Sequence, residues 1–425
     1  MKVLVVDATH GGVTLSEEFR LRGDDVTCVD VHRTLKKEDF SRLSSSFELM
    51  RDLPDPSDYD LIVRPVHFPM APFSGHEGRV VTHHQAVRIL ARDLANFPIA
   101  EVTGSFGKTT AVMCAISLLR DQFSVLSLTS KGICLDDHEG SKTLLEGVSA
   151  APANIIRAIR LSPVKPDLAI FEVSLGGTGL ADLGIIKNVY DDYPIAKGTS
   201  SASKAKLSML SDSRPGSNVL VNADDPKLGN LAGVQRFSPS GMDCEIKAMR
   251  AKISKNGIEF DAVFKGFKAR RGNFNSEIRV KTSPGPIGRQ HVENLLVGVA
   301  MVSFFRPVDD LLLIDGAIFD KMVLKSAEPP VVINRSASIG AKSIDASIRD
   351  YLELFPPTRL ELGGKLKTTC GSSDLNATAQ IIRSSPFQEI ALFGEFGEAL
   401  APLLSGKARV RDPFEDGPKL VLERG

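Results

Sequence analysis

The stretch Ile99-Ala100-Glu101-Val102-Thr103-Gly104-Ser105-Phe106-Gly107-Lys108-Thr109-Thr110, with the apolar helical pattern that follows through Met113, decides the fold. Its order predicts a buried strand, a glycine turn and a helix. Backbone N–H groups of such a turn cradle phosphate oxygens, and the helix N-terminus adds partial positive charge. Lys108 can reach the β- and γ-phosphates of a nucleotide, and Thr109 can place a hydroxyl on Mg²⁺. Gly104 and Gly107 permit a backbone that a Cβ would block. Val102 stands where the longer P-loop pattern has its first glycine, but the compact Thr-Gly-x-x-Gly-Lys-Thr-Thr form is complete. The expectation is ATP held by Gly104, Ser105, Phe106, Gly107, Lys108, Thr109 and Thr110.

Outward from this loop, residues 98–307 read as one nucleotide-binding domain. Asp167–Val173 is a strand ending in Glu172-Val173-Ser174, and a carboxylate at a strand end beside a P-loop is placed to ligate Mg²⁺. Leu183–Val189 is a further strand, with Asn188, Asp191 and Asp192 at its exit. Ser203–Leu207, which contains Lys206, is helical. Residues 245–282 alternate apolar and polar positions, as an antiparallel meander does. An apolar helix follows Gly288-Arg289-Gln290-His291-Val292-Glu293-Asn294 and runs through Phe305.

Residues 1–97 alternate strand, glycine loop and helix. Val3–Val6, Val26–Asp30 and Leu61–Val66 are expected strands of a parallel sheet, with a ligand site at its C-terminal edge. Gly11-Gly12 lacks the dinucleotide fingerprint, so no NAD is expected. Six of the eight histidines lie here: His10, His32, His67, His76, His83 and His84. Each alone reads as a surface or capping residue. Together they imply a pocket for a polyanionic or metal-bearing ligand, although their spacing is no metal motif. Residues 308–425 form a third α/β unit, with strands at Val331–Ile333, Arg359–Leu362, Glu389–Phe393 and Lys419–Leu422 and a glycine turn at Gly371.

The chain has 425 residues and a formal net charge of +0, which gives no electrostatic case for nucleic acid or a membrane surface. No apolar run is long enough to span a bilayer. The five cysteines (Cys28, Cys114, Cys134, Cys244, Cys370) form no CxxC pair. A reduced, cytoplasmic setting is therefore expected.

The residues now on the page resemble the Mur ligase superfamily. Its P-loop is matched by Thr103–Thr110, its magnesium glutamate by Glu172, and its Asn…Asp-His segment by Asn188, Asp191 and Asp192, with Asp192 in the histidine position. Lys206 sits where many members carry a carbamylated lysine. Asn222-Ala223-Asp224-Asp225-Pro226 is close to the family wording. Gly288–Asn294 resembles Gly-x-His-Asn-x-x-Asn, keeping the glycine and Asn294. The resemblance implies an α/β, three-domain architecture, with a central P-loop domain (98–307) between a Rossmann-like substrate domain (1–97) and a Rossmann-like lid (308–425). It implies an ADP-forming ligase using ATP and Mg²⁺. Lys108, Lys206 and Asp192 would be catalytic, Asn294 a nucleotide contact, and Thr109, Glu172 and Asp192 the metal ligands.

Val5–Gly12 and Val81–Val87 are untypical of muramyl ligases. They resemble the branch that forms the nickel tetrapyrrole coenzyme F(430) in methanogens and their relatives. That implies activation of a carboxylate as an acyl phosphate, followed by closure of the last carbocyclic ring, on a nickel tetrapyrrole acid held by His10, Gly11, Gly12, His83 and His84. The alternative is an amide-forming Mur-like ligase joining an amino acid or peptide to a carboxylate. Ile333-Asn334-Arg335-Ser336-Ala337 departs from the Asn-Asp-Ser-Lys pattern of peptide-forming relatives, which agrees with the ring-closing branch.

Overall fold

Ile99–Thr103 is buried at every position and lies inside a 12-stranded sheet, between Leu168–Glu172 and Leu183–Ile186, parallel to both. Such strands carry apolar residues on both faces because helices cover both faces. The computed structural model describes every residue except Asp191, 336–338, 367–373, Ser405 and Asp416. Asp191, Ser336, Ala337, Cys370 and Gly371 therefore lie outside the described residues.

The helix after the P-loop, Lys108–Leu119, packs on the helix Gln290–Phe305. Their contact is close because Gly298 faces Cys114, where an added Cβ would stand 2.5 Å from the Cys114 Sγ. The strands Ile246–Ser254, Gly257–Ala269 and Gly272–Thr282 form the expected antiparallel meander, which continues the same sheet. At the other edge the hairpin Gly132–Asp137 and Gly140–Leu145 extends it.

The first unit is a five-stranded parallel sheet ordered Glu48–Met50, Asp25–Val29, Lys2–Val6, Leu61–Arg64, Val80–Thr82. The chain winds one way from Lys2–Val6 and then returns to its other side. That reversal opens a crevice at the C-terminal ends of the three middle strands.

The third sheet has six strands and begins at Val323–Ala327. It does not begin near residue 308. Arg306 and Pro307 end the long helix, but Leu311–Ile314 then pairs in parallel with Gly272–Thr282. The chain thus covers the open edge of the meander before it leaves the central sheet.

Candidate active site

The P-loop backbone is held in shape by one asparagine. Asn188 Oδ1 accepts from the Ser105 and Phe106 N–H groups at 2.8 and 3.0 Å, and its Nδ2 donates to Glu293 Oε1 at 2.7 Å. Glu293 also receives the buried Lys187 ammonium at 2.6 Å. With Ser105 and Phe106 engaged, the N–H groups free to meet an anion are those of the first helical turn, Lys108 to Thr110, which an α-helix leaves without internal partners. Gly107 is left-handed (φ 75°), and a Cβ there would stand 2.1 Å from Asn294 Oδ1. Gly107→Ala is therefore expected to weaken ADP binding about tenfold or more by calorimetry, from backbone strain and the clash together. Wild-type affinity in that variant would contradict the loop geometry.

Lys108 Nζ donates to Gly104 O at 3.0 Å and lies 3.6 Å from Glu172 Oε1. Thr109 Oγ1 donates to Glu172 Oε2 at 2.7 Å and stands 3.0 Å from Ser130 Oγ. A hydroxyl and a carboxylate, both hard oxygen donors, meet beside the phosphate loop, a donor set that suits Mg²⁺.

The structure gives Asp192 a different place. Its Oδ1 accepts from the Ser203 N–H at 2.9 Å, and its Oδ2 takes the Ser203 hydroxyl and Lys227 Nζ, the latter at 3.2 Å. Burial pushes its pKa up, but the Ser203 and Lys227 contacts outweigh this, and the net shift is downward. It fastens the start of the Ala202–Asp212 helix and is not joined to the Thr109–Glu172 pair. That helix carries Lys206, buried, with Nζ 3.5 Å from Ser105 Oγ.

A cavity of about 250 Å³ continues from the P-loop and is lined by Phe106, Tyr190, His291, Asn294 and, from the third unit, Asn334 and Lys342. The Asn294 amide Nδ2 donates to His291 Nδ1 at 3.2 Å, and His291 Nε2 donates to Lys321 O at 2.6 Å. Asn294 Oδ1 is buried and has no hydrogen-bond partner. That oxygen lies against Gly107, so the unpartnered acceptor sits at the phosphate-loop end of the cavity, where a buried polar group calls for a partner. Lys187, Glu293 and Lys321 were not singled out from sequence. Their one signal was the Lys187-Asn188 adjacency, because burial of an ion pair is a tertiary property.

A second cavity, about 360 Å³, lies between the first and central units and is lined by Arg64, Phe68, Met70, Thr199, Lys204 and Ser208, among others. Lys204, Ala205, Ser208 and Ser211 of its lining belong to the helix Ala202–Asp212, which carries Lys206.

The expected histidine donors divide. His83 and His84 are buried, and their Nε2 atoms donate to Val6 O at 2.9 Å and Ser174 O at 2.7 Å. They do not offer those protons to a substrate. The reason is local: Thr82 and Gln85 form a capping box, so the helix starts at His83 and turns both rings inward. Gly12 is required because a Cβ would stand 2.3 Å from Asp7 O, and the left-handed Gly11 packs on Ala153. His10 is exposed at the crevice, with its Nδ1 2.6 Å from Asp7 Oδ2.

Burial pushes the His83 and His291 imidazoles down to about 4, from an ordinary value of 6.5. Between those values the unfolded chain binds more protons than the folded one. Stability that is full above about pH 6.5 is therefore lost as the pH falls toward about 4, by roughly 3 kcal/mol per histidine. Denaturant melts at graded pH should show this slope, and His83→Gln, which keeps an N–H donor, should flatten it. An unchanged slope in that variant would contradict the assignment.

No family model matches the chain. It is 36% identical over 254 residues to the coenzyme F(430) synthetase of Methanosarcina acetivorans, covering 56% of this chain and 54% of that relative. The chain thus aligns with about half the length of that relative. It is 25% identical over 421 residues to the coenzyme F(430) synthetase of Methanocaldococcus jannaschii, covering 95% and 93%. Among solved structures, MurF ligase from Thermotoga maritima in complex with ADP superposes with a TM-score of 0.57 at 15% identity, over 94% of this chain and 90% of that one. Mycobacterium tuberculosis folylpolyglutamate synthase complexed with ADP and AMPPCP gives 0.54 at 15% identity, over 80% and 91%.

The chain has the Mur ligase fold.

The resemblance read from Thr103–Thr110 and the first-unit motifs is borne out by these relatives, which are named synthetases and ligases. Both neighbours were crystallised with nucleotides, ADP in the first and ADP or AMPPCP in the second. No helix among the described residues is long and apolar enough to cross a membrane.

Proposed function

We propose that the chain is an ATP- and Mg²⁺-dependent ligase that activates a carboxylate of a nickel tetrapyrrole acid and closes the last carbocyclic ring of coenzyme F(430). The observation that carries this reading is the meeting of Lys108, Thr109 and Glu172 on the P-loop helix start, beside the cavity lined by Phe106, Gly107, Thr110 and Asn294. Similarity to an F(430) synthetase over 95% of the chain supplies the substrate class.

In this reading Lys108 and the first-turn amides hold the β- and γ-phosphates of ATP. Mg²⁺ on the Thr109 hydroxyl and the Glu172 carboxylate would neutralise charge shared by the two phosphates. A substrate carboxylate oxygen attacks the γ-phosphorus, ADP leaves, and an acyl phosphate remains. Lys206, whose Nζ lies 3.5 Å from Ser105 Oγ, adds positive charge beside the loop, and the third unit, through Asn334 and Lys342, walls the cavity from water. A carbon nucleophile of the same macrocycle then attacks the acyl carbon and expels phosphate. No second substrate is needed, and proximity supplies much of the rate.

Hydroxylamine added during turnover tests the activation step. The expected product is a hydroxamate of the tetrapyrrole acid, formed with ADP. ADP release with no hydroxamate and no ring-closed product would reject it.

A further inference from the structure

The geometry points to a transition-metal site, separate from the magnesium position, formed by Asp7, His10, His32 and His67 at the crevice of the first sheet. The three middle strands each deliver part of it. Asp7 and His10 follow Lys2–Val6, His32 follows Asp25–Val29, and His67 follows Leu61–Arg64. One ligand atom from each residue lies within 4.8 Å of every other. His10 Nδ1 is 2.6 Å, His67 Nε2 3.0 Å and His32 Nε2 3.7 Å from the same oxygen, Asp7 Oδ2.

Three imidazole nitrogens on one carboxylate oxygen exceed what hydrogen bonding to that atom uses. Asp7 is buried and held in a left-handed conformation (φ 72°), and its other oxygen accepts from the Thr9 and His10 N–H groups at 3.1 and 3.3 Å. That oxygen fixes the carboxylate, as outer hydrogen bonds do in metal centres. A tetrahedral ion with bonds of about 2.1 Å spaces its ligands at about 3.4 Å, so closing on an ion needs movements of only about 1 Å. His10 and His32 are exposed and free to make them.

The donor set selects the ion. Imidazole with one carboxylate suits Zn²⁺, Ni²⁺ or Co²⁺, whereas Mg²⁺ takes oxygen ligands. The metal of a planar macrocycle offers one axial position per face, so it cannot accept three convergent imidazoles. The site fits a free divalent ion.

The test uses the untagged full chain, stripped with a chelator, in excess Mg²⁺ and without nucleotide. Titration with Co²⁺ should saturate at one ion per chain with the d–d absorption of a low-coordinate nitrogen-ligated cobalt, and Zn²⁺ or Ni²⁺ should displace it. His32→Ala with His67→Ala should weaken binding at least about tenfold, and so should His32→Gln alone, an exposed change that leaves the fold intact. Absence of the cobalt spectrum, or unchanged affinity in both variants, would overturn the site. The readout is metal binding, so its result is separate from the ligase reading.

Discussion

Lys108→Ala is expected to remain folded and to release ADP about 10²- to 10³-fold more slowly than the wild type. Loss of one preorganised donor to developing negative charge has effects of that size. The fold should survive because Lys108 leaves little behind. Its ammonium meets Gly104 O and the edge of Glu172. Glu172 Oε2 keeps its bond from Thr109 at 2.7 Å and a contact from the Ser130 N–H at 3.3 Å, so the carboxylate stays anchored through that oxygen. Steady-state ADP formation, with a thermal melt as the folding control, decides it. Wild-type turnover in a folded variant would remove the P-loop from phosphate binding.

Glu172→Gln should act through the metal. The amide oxygen can still accept from Thr109, so the local structure persists, but the anion beside Lys108 is gone. Turnover at limiting Mg²⁺ should fall, and the Mg²⁺ concentration for half-maximal rate should rise about 10- to 100-fold. Saturating Mg²⁺ should restore part of the rate. An unchanged Mg²⁺ dependence would show that Glu172 holds no metal.

The phosphate loop was legible because its chemistry is local. Strand, turn and helix occupy consecutive residues, and glycine is demanded where the backbone turns left-handed at Gly107. Glu172 was legible for a similar reason, since the end of a buried strand beside such a loop is a predictable place. His83-His84 misled because a pair of histidines after a strand resembles a loop, whereas Thr82 and Gln85 convert it into a buried helix start. Asp192 misled because its position beside Asn188 says nothing about Ser203, which claims it. The Asp7, His10, His32 and His67 cluster is invisible as a motif. Its members are brought together by the strand order of the first sheet, a long-range property. The start of the third unit was misplaced for the same reason, because the pairing of Leu311–Ile314 with Gly272–Thr282 is long-range.

The most direct test of the proposed ligase is ADP release with Mg²⁺, ATP and the purified nickel tetrapyrrole acid, with no amino acid or peptide present. The account predicts ADP in one-to-one ratio with a ring-closed tetrapyrrole, followed by the change in its visible absorption, and no stimulation by a panel of amino acids. ADP formed only when an amine substrate is added, with the tetrapyrrole unchanged, would contradict it and establish an amide-forming ligase instead.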